Sequence, residues 1–240
     1  MENFGRYFRQ MALPDFGTET QKRLHSSSVA IIGVGGLGAP LSLYLAAAGV
    51  GRLHLFDNDR VDLSNLNRQI LYTEHDIGKQ KNVTAKIAID RFNPDVTVYV
   101  FDMKVEESGF DFGKVDVIAD ATDNFETRYF LNSCSLRYRK PLVHASVYGR
   151  EGRVTSFVPG ETACYRCLYP QPYLYESKPI LGVSSGIGGM LQASEILNYL
   201  ISGRLALAGK LLAYDLYDMT FDTINIPKEE VCLDCGSKNN

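Results

Sequence analysis

The sequence predicts an α/β protein: a Rossmann-like, doubly wound and mostly parallel sheet with a C-terminal extension stapled by four cysteines. Three observations carry that expectation. A short apolar strand, Val29 to Ile32, runs straight into Gly33-Val34-Gly35-Gly36-Leu37-Gly38 and a helical repeat; strand-like runs then alternate with helical ones; and two Cys-x-x-Cys pairs, Cys164/Cys167 and Cys232/Cys235, stand in the last third of the sequence. At 240 residues and about 150 residues per domain, the length allows one large domain or two small ones, and the chain is read as one. Within it, residues 1–28 form an N-terminal helical segment, followed by a 29–150 part that holds the glycine turn and a 151–240 part that holds the cysteine pairs.

Each element has a local reason. Residues 1–28 are polar and mixed, and Ser26-Ser27-Ser28 reads as a linker or helix-to-strand loop. After the glycine turn Leu41, Leu45 and Ala48 recur at helical spacing up to Gly49, a C-cap. Arg52 to Phe56 is a second strand ending in Asp57-Asn58-Asp59, which completes a βαβ unit with a right-handed crossover. A helix over Val83 to Arg91 and a strand over Val96 to Phe101 flank Asn93-Pro94. Val115 to Ala121 is an apolar strand interrupted only by Asp116 and Asp120, Phe125 to Tyr138 a helix, and Leu142 to Val147 a strand. Strands near 153–158, 211–216 and 223–226 and a helix over 185–202 finish the chain. Gly160 to Val183, rich in Tyr, Pro and Gly, reads as a long functional loop.

Composition excludes several classes. With 45% hydrophobic and 22% charged residues and a net charge of −3, the chain has neither the bias of a disordered segment nor a basic footprint for nucleic acid. Met1 to Arg6 contains no apolar core of a signal peptide, and the longest near-apolar stretch, Leu41 to Gly51, falls short of the roughly 18 residues that span a bilayer. Five cysteines are too few for a disulfide framework, and their pairing is typical of reducing compartments. The expected location is the cytoplasm, with no membrane and no nucleic-acid partner.

The chemistry-bearing motifs begin with Gly33, Gly35 and Gly38, which fit G-x-G-x-x-G between strand and helix, with Asp57 about 20 residues on. Glycines let the backbone and a helix N-terminus approach a phosphate, and Asp57 can accept hydrogen bonds from a ribose. A turn that merely packs helix on strand is the bland alternative, and the motif does not choose between NAD and ATP. The stretch Asp62-Leu63-Ser64-Asn65-Leu66-Asn67-Arg68-Gln69 and then Gly78-Lys79-Gln80-Lys81 brings cations and amides towards that acid, which a dehydrogenase does not need; any one of them alone reads as a solvated surface charge. The two Cys-x-x-Cys pairs match a tetrahedral four-cysteine zinc site, with redox pairs and disulfides as rivals, and Cys134 reads as a core thiol.

Taken together, Gly33 to Gly38, Ser64 to Gln69, Ala121-Thr122-Asp123-Asn124, Cys164-Tyr165-Arg166-Cys167 and Cys232-x-x-Cys235 resemble the ThiF/MoeB/HesA adenylyltransferases, relatives of the ubiquitin-activating enzymes. The likeness runs in the same order from Arg6-Tyr7-Phe8-Arg9-Gln10 to Cys235. It implies a ThiF-like adenylation domain that uses ATP and Mg²⁺ to activate the C-terminal Gly-Gly of a small ubiquitin-like (β-grasp) sulfur carrier, of the molybdopterin-synthase small-subunit or ThiS type, as an acyl adenylate.

By the same resemblance, ATP is bound by Gly35, Gly36, Asp57, Ser64, Asn65, Leu66, Asn67, Arg68, Lys81, Asp123 and Asn124. Asp57 holds the ribose, Asn65 and Arg68 the phosphates, Lys81 the phosphates near the α-position, and Asp123 the Mg²⁺, although Asp123 could also serve as the N-cap of the helix at Phe125. Arg9, rather than Arg6, reaches the ATP of the partner subunit, which makes the enzyme a homodimer. Some members carry a cysteine after the first Cys-x-x-Cys that links covalently to the carrier. Here Leu168 to Val231 contains none, and Tyr175 and Ser177 stand about where it is expected. This departure from the family pattern argues against a thioester or acyl-disulfide step and favours an enzyme that stops at the adenylate and leaves sulfur to a separate donor. An NAD-dependent oxidoreductase, a zinc-dependent scaffold without chemistry, and family members acting on a peptide or tRNA are the alternatives.

Overall fold

Eight strands form one sheet in the order β3-β2-β1-β4-β5-β6-β7-β8 in the computed structural model, which describes residues 4–173 and 179–236. β1 (Ser28–Ile32), β2 (Arg52–Phe56), β3 (Thr97–Phe101), β4 (Val117–Asp120) and β5 (Leu142–Tyr148) pair in parallel. The strand order reverses at β1, and the cleft at that switch point is where open α/β sheets bind ligands.

β6 (Glu151–Phe157), β7 (Lys210–Asp215) and β8 (Thr220–Asn225) pair antiparallel, so the sheet is parallel only through its first five strands. The cause is local. Only Gly149 and Arg150 separate β5 from β6, with Gly149 at φ +61°, and a connection that short closes a hairpin but not a parallel crossover. One sheet thus runs through both the 29–150 and the 151–240 parts.

Alternation within each strand sends side chains to two faces. Val29 and Ile31 of β1 join the core under α3 (Gly38–Ala48), α4 (Lys81–Phe92) and α7 (Gly182–Ser202), whereas Ala30 and Ile32 join Phe56, Phe112, Leu131 and Tyr165 under α5 (Phe125–Tyr138) and the short α6 (Tyr165–Leu168). Gly49 caps α3 at φ 84° as the sequence predicts. The long helix near 185–202 begins three residues earlier, at Gly182.

The N-terminal segment is helical in pieces: a 3₁₀ turn (Phe4–Tyr7), α1 (Phe8–Met11) and α2 (Gly17–Ser26). Of the three serines, Ser26 ends α2, Ser28 opens β1 and only Ser27 links them. The segment is tied to the C-terminal end of α3, where Gln10 Nε2 donates to Ala48 O (2.8 Å) and Asn93 Nδ2 donates to both Tyr7 Oη (2.9 Å) and Ala46 O (2.7 Å). Among the described residues no helix is long and apolar enough to cross a membrane.

Candidate active site

A polar cavity of about 540 Å³ opens at the C-terminal ends of β1, β2 and β4, with Gly35, Asp57, Asn65, Arg68, Lys81 and Asp123 in its wall. The glycine turn forms its floor. Gly33 has φ +89°, and a Cβ on Gly38 would lie 2.0 Å from the Gly33 carbonyl oxygen; no other residue allows α3 to start so close to β1. Gly36 faces Ser185 of α7 and the stem of Arg68.

Asp57 closes the turn from the side. Its Oδ2 accepts from Val34 N–H (2.8 Å) and its Oδ1 from Asp59 N–H (2.9 Å). Burial pushes its carboxyl above the usual carboxylate range, against those two N–H groups and the Lys81 charge, which pull it down. Lys81 is not a solvated surface charge: its side chain is 7% exposed, and Nζ lies 2.8 Å from the exposed carboxylate of Asp59.

The stretch 62–69 divides its labour. Asp62 caps the 3₁₀ turn Leu63–Asn65 in a capping box with Asn65, and the Ser64 hydroxyl donates to Asp62 Oδ1 (2.6 Å). Leu66 packs on the core, and Asn67 Oδ1 accepts from Arg68 Nη1 (3.0 Å), which also donates to Ser64 O (2.9 Å). Asn65 and Arg68 therefore line the cavity, whereas Ser64, Leu66 and Asn67 shape the loop that presents them. Asp123 and Asn124 both line it, but the cap of α5 is Asn124, whose Oδ1 accepts from Thr127 N–H (2.9 Å).

Arg9 is not part of this wall. It is exposed on α1, at the end of α3 remote from the glycine turn, and the 11 residues of α3 put about 16 Å between them. Arg6, its neighbour, donates to Phe92 O (3.0 Å).

Sequence reasoning named Gln69 and Thr122 within motifs without giving them a role, and missed Ser185, Arg128 and the segment Met103 to Glu107; all of these line the cavity. The last had a signal: it follows the third strand, whose C-terminal end must lie beside that of β2 in a sheet ordered 3-2-1-4. A second cavity of about 420 Å³ shares Asp123, Asn124, Arg128 and Val147 with the first and is walled by Phe125, Tyr169, Pro172 and Tyr173. It leads from the Asp123 end of the polar cavity towards the loop after α6. Tyr175 and Ser177 lie outside the described residues.

The four paired cysteines converge although Cys167 and Cys232 are far apart in sequence. Their sulfurs lie within 4.8 Å of one another, with Sγ–Sγ distances of 3.6 Å (Cys164–Cys232), 3.5 Å (Cys167–Cys235) and 3.9 Å (Cys164–Cys167). Four thiolates around zinc at about 2.3 Å stand about 3.8 Å apart, so the set can hold a metal ion. Burial pushes the Cys164 thiol up to about 11, and a cation is what such a cluster needs to hold thiolates. Asn132 braces it, with Nδ2 donating to Asp234 Oδ2 (2.7 Å) and to Cys164 Sγ (3.6 Å), while Asp234 Oδ1 pairs with Arg166 (2.8 Å). Cys134 is buried, and burial raises its thiol to about 11.

The sequence model of the ThiF family matches residues 7–234. The chain belongs to the ThiF family. This ThiF-family protein is 41% identical to the SAMP-activating enzyme E1 of Haloferax volcanii, over 96% of this chain and 88% of that one, and 38% identical to the sulfur carrier protein adenylyltransferase of Thermus thermophilus, over 99% and 92%. It is 39% identical to the adenylyltransferase and sulfurtransferase MOCS3 of Danio rerio, of which it spans about half, 53%. Its fold is that of Escherichia coli MccB solved with ATP, at a TM-score of 0.84 and 24% identity over 98% of this chain and 74% of that one. The ThiF-family chain is an adenylyltransferase, and the oxidoreductase alternative falls with that assignment.

Proposed function

We infer that the enzyme uses ATP to adenylate the C-terminal carboxylate of a small β-grasp sulfur carrier ending in Gly-Gly, releasing pyrophosphate and leaving an acyl adenylate. The observation that carries this reading is the junction of the two cavities. A polar one with Arg68 and Lys81 in its wall meets an apolar one at Asp123, so a nucleotide and an extended apolar tail can meet end to end.

A carboxylate is ionised at neutral pH and needs no general base; the obstacle is bringing an anion to a polyanion. Asn65 and Arg68 bind the phosphates, Asp57 holds the ribose hydroxyls, and Lys81 places its ammonium against the α-phosphate, where charge develops as the carboxylate oxygen attacks and pyrophosphate leaves. Asp123 would hold Mg²⁺, which when bound neutralises phosphate charge. The aromatic walls of the second cavity exclude water from the activated carboxyl.

The four-cysteine cluster would hold a structural zinc ion, and cysteines kept as thiolates suit a reducing compartment, which supports reading the enzyme as cytosolic. Arg9, remote from its own cavity, acts in that of the partner subunit of a homodimer. The substrate in this reading is a carrier of the molybdopterin-synthase small-subunit or ThiS type, with a separate donor supplying sulfur; relatives named sulfur carrier protein adenylyltransferase and adenylyltransferase and sulfurtransferase support the sulfur-carrier class.

The test is intact-mass spectrometry of a Gly-Gly-ending β-grasp carrier from the same genome after incubation with enzyme and MgATP. The carrier should gain one AMP group, and the same carrier without its last glycine should not. Transfer of AMP to a short peptide but to no such carrier would replace the carrier with a peptide substrate.

A further inference from the structure

The loop that ends in Asp123 is held by a buried network that the proposed chemistry does not use. Asp120 closes β4 with its side chain fully buried. Its Oδ1 accepts from both the Thr122 N–H (3.0 Å) and the Thr122 hydroxyl (2.6 Å). Arg128 of α5 holds the other side of the same residue, with Nη2 donating to Thr122 O (2.7 Å). Every backbone and side-chain polar group of Thr122 is thereby fixed, and Thr122 is the residue before Asp123.

What orients Asp120 is His144. The two are register partners on β4 and β5, and His144 Nδ1 lies 2.6 Å from Asp120 Oδ2 with both side chains 0% exposed. Gln192 of α7 pins the backbone beneath them, donating to Asp120 O (2.8 Å) and Val143 O (3.1 Å). His144 Nε2 is buried with no hydrogen-bond partner among the described residues. An N–H there would be an unpaired buried donor, so the imidazole is neutral, with its one proton on Nδ1 facing the carboxylate. Burial favours the same state by pushing the imidazolium down. The ring is held edge-on against Tyr165 (5.1 Å, 72°), inside the first Cys-x-x-Cys turn.

We propose that His144 is a positioning residue for the adenylation reaction: through Asp120 it locks the Thr122 turn and so aims Asp123 into the cavity. The inference rests on the adenylyltransferase reading of that cavity. Without His144, Asp120 Oδ2 keeps only the Arg128 Nε at 3.9 Å, too far for a hydrogen bond, so a buried oxygen left without a donor pulls the carboxylate towards Arg128 and strains the two bonds that hold Thr122. Partners bonded directly to a metal-binding carboxylate typically contribute about 10- to 100-fold in activity or metal affinity, and His144 reaches Asp123 through Asp120 and Thr122, so that range is the upper limit of its effect.

The experiment compares His144→Ala, His144→Asn, Thr122→Val and Thr122→Ser with the wild type in carrier-dependent exchange of pyrophosphate into ATP, and measures by calorimetry how much Mg²⁺ tightens ATP binding. Asn places an amide N–H where Nδ1–H was, and Ser keeps the hydroxyl. Expected for the Ala and Val variants is a kcat lower by up to about 10- to 100-fold, KM for ATP within about twofold, and a smaller Mg²⁺-dependent gain in ATP affinity. Asn and Ser should recover most of both losses. Thr122→Val nearly preserves volume and tests the Thr122 end of the network; if His144→Ala does not fold, His144→Asn decides, since near-wild-type kcat and Mg²⁺ dependence are expected of it and a full loss would contradict the proposal. Wild-type kcat and Mg²⁺ dependence in both disruptive variants, or losses in them that Asn and Ser do not recover, would overturn the proposal. A wild type that exchanges no pyrophosphate would overturn the carrier reading instead, and the calorimetric comparison would then decide the role of His144 by itself.

Discussion

Lys81 occupies a position that helix energetics argue against. It is the first residue of α4, so its charge sits at the positive end of the helix dipole, and its side chain is 7% exposed. Asp59 offsets part of that cost, but Asp59 is itself 69% exposed and a pair open to water on one side contributes little. A neutral side chain of similar length should therefore fold at least as well: Lys81→Met is expected to keep or raise the melting temperature in calorimetry while pyrophosphate exchange drops by about 100-fold or more. A lower melting point with intact exchange would make Lys81 structural. The sequence shows Lys81 as one cation among several in a loop and cannot show its burial, because that depends on how the start of α4 packs, with Asp59 from beyond β2 brought beside it. For the same reason the motif at 64–68 names residues without separating Asn65 and Arg68, which line the cavity, from Ser64 and Asn67, which brace the loop. The remaining thiol belongs to this scale too. Cys134 is buried with its thiol raised to about 11, so little thiolate is present at neutral pH. Intact mass under denaturing, non-reducing conditions should find no enzyme–carrier adduct that dithiothreitol removes; such an adduct would make one of the five cysteines catalytic.

Among the elements, the βαβ unit and the α5 segment were legible because a glycine turn, an apolar run and a cap lie side by side in sequence. The three antiparallel strands were legible as strands but not in direction, since β5, β6, β7 and β8 carry the same alternation in either sense; only the two-residue link at Gly149-Arg150 forces the hairpin. The staple between α6 and the chain end was legible as two cysteine pairs, while Asn132, which braces it from α5, was not. Bound metal contributes folding free energy directly. Metal analysis should find about one Zn²⁺ per chain, and Cys232→Ser or chelation should lower the melting temperature, as metal-free protein of undiminished stability would contradict. Asn124→Ala removes the cap of α5 and should cost about 1 kcal/mol in denaturant unfolding. It also loosens the helix that carries Arg128, so part of the exchange activity should go with it.

For the whole molecule, the distance between Arg9 and its own cavity is the consequential fact. If Arg9 completes the partner's site, inactive Arg9→Ala and inactive Asp123→Ala subunits complement each other. Random reassortment makes half of the dimers mixed, each with one intact site of two, so mixing should restore about a quarter of wild-type activity. Proven subunit exchange without recovery would place Arg9 outside the partner's site. No sequence feature distinguishes action across an interface from a solvated charge on a short helix. The proposed reaction requires that two adjoining cavities unite a nucleotide with a Gly-Gly tail, and carrier-dependent ATP–pyrophosphate exchange tests that union most directly. Labelled pyrophosphate should enter ATP when enzyme, Mg²⁺ and the intact carrier are present, and should fall to background when the carrier lacks its terminal glycine; exchange that ignores the carrier's C-terminus would contradict the proposed union.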